Sequence, residues 1–156
     1  MDINEFLNNL RGRVLIVGIG NPQRGDDYVG SYIAKYLEGK LSIPVIDCED
    51  RPERFLDKIT KERADTVIII DSIQMNEAAG SFAFFSEDNF YQEGLFTHET
   101  NLALIIKYLK EAVSSQIIII GIQPEKTQYG ESMSKKVKET ADLFLEILIK
   151  KLSSIK

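Results

Sequence analysis

The chain has one cysteine, one histidine and no tryptophan among 156 residues. A single cysteine, Cys48, cannot form an internal disulfide, which fits a reducing compartment. No segment approaches the run of about 18 apolar residues that a membrane helix needs. The opening "MDINEFLNNLRGR" lacks the basic start and apolar stretch of a signal peptide. A cytoplasmic protein that spans no membrane is expected. Basic residues are also short: 19 Lys and Arg against 24 Asp and Glu give a net charge of -5. A general nucleic-acid binder needs a basic face, so that class is disfavoured. Low-complexity tracts, repeats and linkers are absent, and the length suits one domain, 1–156, with 1–12 as an N-terminal extension.

What is present is an alternation of short apolar runs with segments of helical periodicity. "VLIV" (14–17), "IPVID" (43–47), "TVIIID" (66–71) and "QIIIIGI" (116–122) read as strands. Unbroken β-branched runs of this kind suit strands covered on both faces. Between them, Val29, Ile33 and Leu37 recur at helical spacing, as do Leu102, Ile105, Ile106 and Leu109. Val137, Ala141, Phe144, Leu148 and Leu152 form one stripe of a last helix. The pattern predicts an α/β three-layer sandwich, a mostly parallel twisted sheet with helices on both faces. "GSFAFFS" (80–86) has no crossover helix before it and is expected as an antiparallel edge strand.

The polar residues fall at one place in this scheme. Asp27 lies in the glycine-rich loop "GIGNPQRGDDYVG" (18–30) after the first strand, Asp47 ends the second strand and Asp71 ends the third. All three face the carboxyl edge, where open α/β sheets hold ligands. A phosphate would be repelled by this loop and a cation attracted. His98, at the start of the helix "THETNLALIIKYLKEAV", would face the same edge. The helix dipole there favours neutral imidazole, the metal-binding form. Two carboxylates and one imidazole suit a borderline divalent cation. Each residue also has an ordinary reading: Asp26 or Asp27 as a helix cap, Asp71 as a turn aspartate, His98 as a surface residue, Cys48 as a small buried one.

"GIGNPQRGDDYVG", "VIIIDS", "FTHETNL" and "GIQPE" stand here in the order and at about the separations seen in hydrogenase maturation proteases. The chain resembles that family over nearly its whole length, most of all the branch that processes formate-hydrogenlyase-type nickel-iron hydrogenases. The resemblance implies an endopeptidase that removes a C-terminal extension from the hydrogenase large-subunit precursor after nickel insertion. It implies no serine or cysteine nucleophile and no organic cofactor. Nickel presented by the substrate would be the recognition element, with Asp27, Asp71 and His98 as metal-facing catalytic residues. The same donors would also take zinc or cadmium. Asp47 would bear on substrate choice, and Gln123 and Glu125 of "GIQPEKTQYGESMS" would contact substrate. A monomer is expected. Tyr28 stands where the family usually has glycine, and "CEDRPE" replaces a glycine-containing turn after Asp47. A peptidyl-tRNA hydrolase-like esterase shares the Gly-x-Gly-Asn-Pro opening but needs a histidine soon after it, absent here. A non-catalytic metal- or nucleotide-binding module, or a metal chaperone that never cuts, would fit the acidic loop as well.

Overall fold

The computed structural model describes residues 1–92 and 102–155, with the side chains of residues 91 and 92 left aside. Five strands form one sheet: β1 (Val14–Gly18), β2 (Val45–Asp47), β3 (Thr66–Ser72), β4 (Phe82–Ser86) and β5 (Gln116–Ile122). Their order is β2-β1-β3-β5-β4. All neighbours are parallel except β4, which runs antiparallel to β5 at the edge, as the sequence predicts. The described chain also has six α-helices, α1 (Ile3–Asn8), α2 (Val29–Leu37), α3 (Leu56–Lys61), α4 (Glu87–Gln92), α5 (Leu102–Ala112) and α6 (Lys135–Leu152), and two 3₁₀ turns, Gly25–Tyr28 and Pro52–Phe55.

Strand residues alternate between two faces, and each face has its own core. Val14, Ile16, Ile68, Ile70, Ile118 and Ile120 pack with α1, α2 and α6. Leu15, Val17, Val67, Ile69, Ile117 and Ile119 pack with α3, α5 and Phe90 of α4. This double burial is why the strands read as unbroken apolar runs. The stripe on α6 is fully buried, from Val137 to Leu152.

The first residues do more than extend the domain. Asp2 and Glu5 form a capping box that starts α1, and Phe6 is fully buried, its ring stacked on Phe84 at 4.7 Å between centroids. Among the described residues, no helix is long and apolar enough to cross a membrane.

The strand order fixes where a ligand can sit. From β1 the chain passes to β2 on one side, and β3 then lies on the other side of β1. The loops leaving β1 and β3 therefore part at a topological switch point, and a crevice opens outside the carboxyl ends of these strands.

Candidate functional site

Asp27 and Asp71 flank that crevice. The chain leaves β1 with the Ile19 N–H donating to the Ile70 carbonyl at 2.9 Å, which ties the loop to β3. A 3₁₀ turn, Gly25–Tyr28, then carries the acid pair. Gly25 opens it at φ 52, a backbone angle that side chains with a Cβ rarely adopt. The Asp27 carboxylate accepts from the Ser72 hydroxyl at 3.1 Å and from the Asn21 N–H at 3.2 Å. Ser72 directly follows Asp71, so the two acids are held as neighbours by that contact.

Asp71 is 1 % exposed, and among the described residues neither carboxyl oxygen has a hydrogen-bond partner. Burial pushes its pKa well above the usual carboxylate range, and the charge of Asp27 pushes it further. The Ser72 N–H faces the carboxyl and opposes the shift without reaching hydrogen-bond geometry. A buried acid with no partner, beside a second acid, is costly, and among the described residues no other buried side-chain polar atom lacks a hydrogen bond. Clefts holding such groups are where functional sites concentrate.

The two aspartates of the loop have different work. Asp26 is fully buried and caps neither the 3₁₀ turn nor α2, whose N-cap is Tyr28 with no side-chain cap. Its carboxylate instead accepts from the backbone N–H groups of Glu125, Lys126 and Ser134 and from the Ser134 hydroxyl, at 2.6–2.9 Å. Helix capping, the ordinary reading of this pair, is fulfilled by neither acid. The reason is that donors from the loop after β5 reach Asp26 across the sheet edge, and Asn21 and Ser72 reach Asp27.

Asp47 ends β2 on the other side of β1, accepting from the Ser31 hydroxyl at 2.7 Å and the Glu49 N–H at 3.0 Å. It lines a cleft of about 590 Å³ whose walls include Asn21, Glu49, Arg54 and Tyr129. In the turn "CEDRPE", Glu49 takes the left-handed conformation, φ 49. Cys48 beside it is fully buried, and burial pushes its thiol up to about 12, with Asp47 adding to the shift.

Gln123 is 3 % exposed, and its amide is used internally. Its carbonyl accepts from the Met75 N–H at 2.7 Å and the Glu77 N–H at 3.3 Å, and its nitrogen donates to the Gln74 side chain at 2.7 Å and to the Pro124 carbonyl at 3.2 Å. The residue expected at the substrate is thus placed where it shapes the loop leaving β3. Glu125 has an exposed side chain, and its N–H is one of the Asp26 donors. His98 lies outside the described residues. Among the described residues, no three His, Cys, Asp or Glu side chains gather closely enough to hold a metal ion.

The structure therefore brings Asp27 and Asp71 together and sets Asp47 at a neighbouring cleft. Ser72 and Asn21, which orient Asp27, were not singled out from sequence. The serine in "VIIIDS" was the available signal for one of them. The orphaned oxygens of Asp71 fit the chemistry of a hard-donor position for a cation.

Comparison with known proteins places the chain in a family and matches its fold. The sequence profile of the HycI hydrogenase maturation protease family matches residues 28–151. A Methanocaldococcus jannaschii protein carrying the hydrogenase maturation protease name is 32% identical over 154 residues, covering 92% of this chain and 90% of that protein. The crystal structure of the [NiFe] hydrogenase maturation protease HycI from Thermococcus kodakarensis superposes with a TM-score of 0.86 at 30% identity, over 97% of this chain and 99% of that one. The solution structure of the endopeptidase HycI from Escherichia coli has the same fold, with a TM-score of 0.76 at 23% identity over 89% and 90% of the two chains. With the family profile matching residues 28–151, a relative 32% identical over 92% of the chain and the shared α/β fold, this chain belongs to the hydrogenase maturation protease family.

Proposed function

We propose that this member of the family removes a C-terminal extension from the large-subunit precursor of a nickel-iron hydrogenase, and that nickel already seated in the precursor is what it recognises. The observation that carries the reading is the buried Asp71 carboxyl, both oxygens without a hydrogen bond among the described residues, next to Asp27. A cation arriving with the substrate would compensate both charges. Asp27, Asp71 and His98 would hold it, with zinc or cadmium able to take the same place.

Each residue has a distinct part. Asp27, fixed by Ser72 and Asn21, presents a carboxylate of set direction. Asp71, desolvated, favours its neutral form until a cation displaces the proton, so binding and deprotonation are coupled. A bound divalent cation supplies Lewis-acid polarisation of a carbonyl. A carboxylate left free of it would serve as general base. No serine or cysteine nucleophile is needed. The burial and raised pKa of Cys48 support this, since the thiolate is the reactive form. Asp47 and Glu125 would meet the precursor's chain, Asp47 from the cleft beside the acid pair, while Gln123 shapes the loop.

The test is release of the C-terminal peptide, followed by mass spectrometry, from nickel-loaded and nickel-free precursor. The reading expects release from the loaded precursor alone, and none with Asp27→Ala, Asp71→Asn or His98→Ala. Binding of loaded precursor without peptide release would instead mark a chaperone. Equal cleavage of both precursors would remove nickel as the recognised group.

A further inference from the structure

We propose that Asp26 is a positioning residue: its buried carboxylate locks the loop after β5 onto the loop after β1, and this lock sets the direction of Asp27 toward Asp71. The proposal rests on the reading that Asp27 and Asp71 receive the cation.

The lock is built from both chains of loop. Asp26 accepts through Oδ1 from the Ser134 N–H, and through Oδ2 from the N–H groups of Glu125 and Lys126 and the Ser134 hydroxyl. In return the Asp26 N–H donates to the Lys126 carbonyl at 2.7 Å, and the Gly25 N–H to the Glu131 carbonyl at 3.1 Å. Arg24 donates through Nε to the Thr127 carbonyl at 3.0 Å, with its guanidinium over the Tyr129 ring. The Gly130 N–H donates to the Gln23 carbonyl at 2.9 Å. The 3₁₀ turn therefore has little freedom on the Asp26 side.

The Asp27 carboxylate has two hydrogen bonds among the described residues, both longer than 3 Å. Those contacts orient the carboxylate only if the backbone that carries it is fixed. Asp26 supplies that fixing from a side chain about 100 residues away in sequence from its donors. Orientation at this level matters because displacement of a reacting group by about 1 Å can cost about 100-fold in rate. A carboxylate is required: all four partners are donors, and an ionised carboxylate is acceptor-only. With asparagine, either orientation turns an NH₂ toward at least one backbone N–H.

The experiment uses the full chain with Cd(II) as the probe cation, followed by calorimetric titration, and nickel-loaded precursor for kinetics. Asp26→Asn is expected to lower Cd(II) affinity and kcat by about 10- to 100-fold, the range for residues that orient metal-facing ligands. KM for the precursor is expected to hold. Ser134→Ala, which removes one hydroxyl and leaves three backbone donors, is expected to lower both by about 3- to 10-fold and decides the matter if Asp26→Asn does not fold. A folded Asp26→Asn, or Ser134→Ala in its place, with wild-type Cd(II) affinity and kcat would overturn the positioning role, even if melting temperature fell. If Asp27→Ala also bound Cd(II) like wild type, the cation reading itself would fail. If Asp27→Ala alone lost binding, only the role of Asp26 would.

Discussion

Asp71, the last residue but one of β3, carries a carboxyl group that has no hydrogen-bond partner among the described residues. Its pKa is raised by burial and then by Asp27, from an ordinary value of 3.8. A raised acid binds more protons folded than unfolded. Its contribution to stability is complete below the unfolded value and is lost as pH rises through the folded one. Asp71→Asn is therefore expected to melt higher than wild type, with a gap that widens as pH rises from about 4. Melting curves of the two proteins between pH 4 and 9 measure this; a gap that is constant or narrows would contradict it. The stabilised variant should not process precursor, the usual exchange between a strained site and stability. Cys48 gives a second prediction. Buried and with its thiol pushed up to about 12, it should resist iodoacetamide at pH 8 in the native protein and react once unfolded. Mass spectrometry reads the labelling, and rapid native labelling would contradict the placement. The edge that Asp27, Asp47 and Asp71 meet was legible in the sequence, because a strand's end and the loop leaving it lie at the same edge. The difference between Asp26 and Asp27 was not. Both readings of an acid pair before a helix look alike until the donors at Glu125, Lys126 and Ser134 are in place.

The elements nearest the site were the most legible. β1, β3 and β5 are β-branched runs covered on both faces, and this burial leaves an unbroken apolar signature. Short elements were less so. α1 and α4 have six residues each, too few to display a helical period. The Asp2–Glu5 spacing fits the capping box found at α1, a signal that the reading of 1–12 as an extension did not use. Yet α1 carries core contacts, since Phe6 is fully buried and stacks on Phe84. Phe6→Ala is expected to cost about 3–5 kcal/mol, measured by denaturant unfolding. Because α1 packs at the β4 side of the sheet, kcat should be unchanged under conditions where the variant stays folded. A loss under 1 kcal/mol would mean that α1 is a loose extension after all. β2 is another case. The run "IPVID" predicts a strand from Ile43, but the ladder starts at Val45, since Pro44 has no N–H to give and contributes only its carbonyl, to the Ile16 N–H.

For the whole molecule, the sheet order is what turns sequence into a site. Placing β2 and β3 on opposite sides of β1 parts two loops and leaves Asp27 and Asp71 across the gap, 44 positions apart in sequence yet joined through Ser72. Alternation of strands and helices made the three layers and the antiparallel edge readable. The clasp between the loops after β1 and β5 was not, because the Asp26 carboxylate that centres it takes mostly backbone donors whose positions depend on the fold. Asp47 lines a neighbouring cleft on the β2 side, and under the proposed function it would meet the precursor's chain there. The central claim is that Asp27, Asp71 and His98 share one cation. Anomalous diffraction from crystals soaked in Cd(II) tests it most directly. A peak within coordinating distance of all three side chains, lost in Asp71→Asn, is the result expected. A peak bound by other residues, or by the acids with His98 turned away, would contradict it.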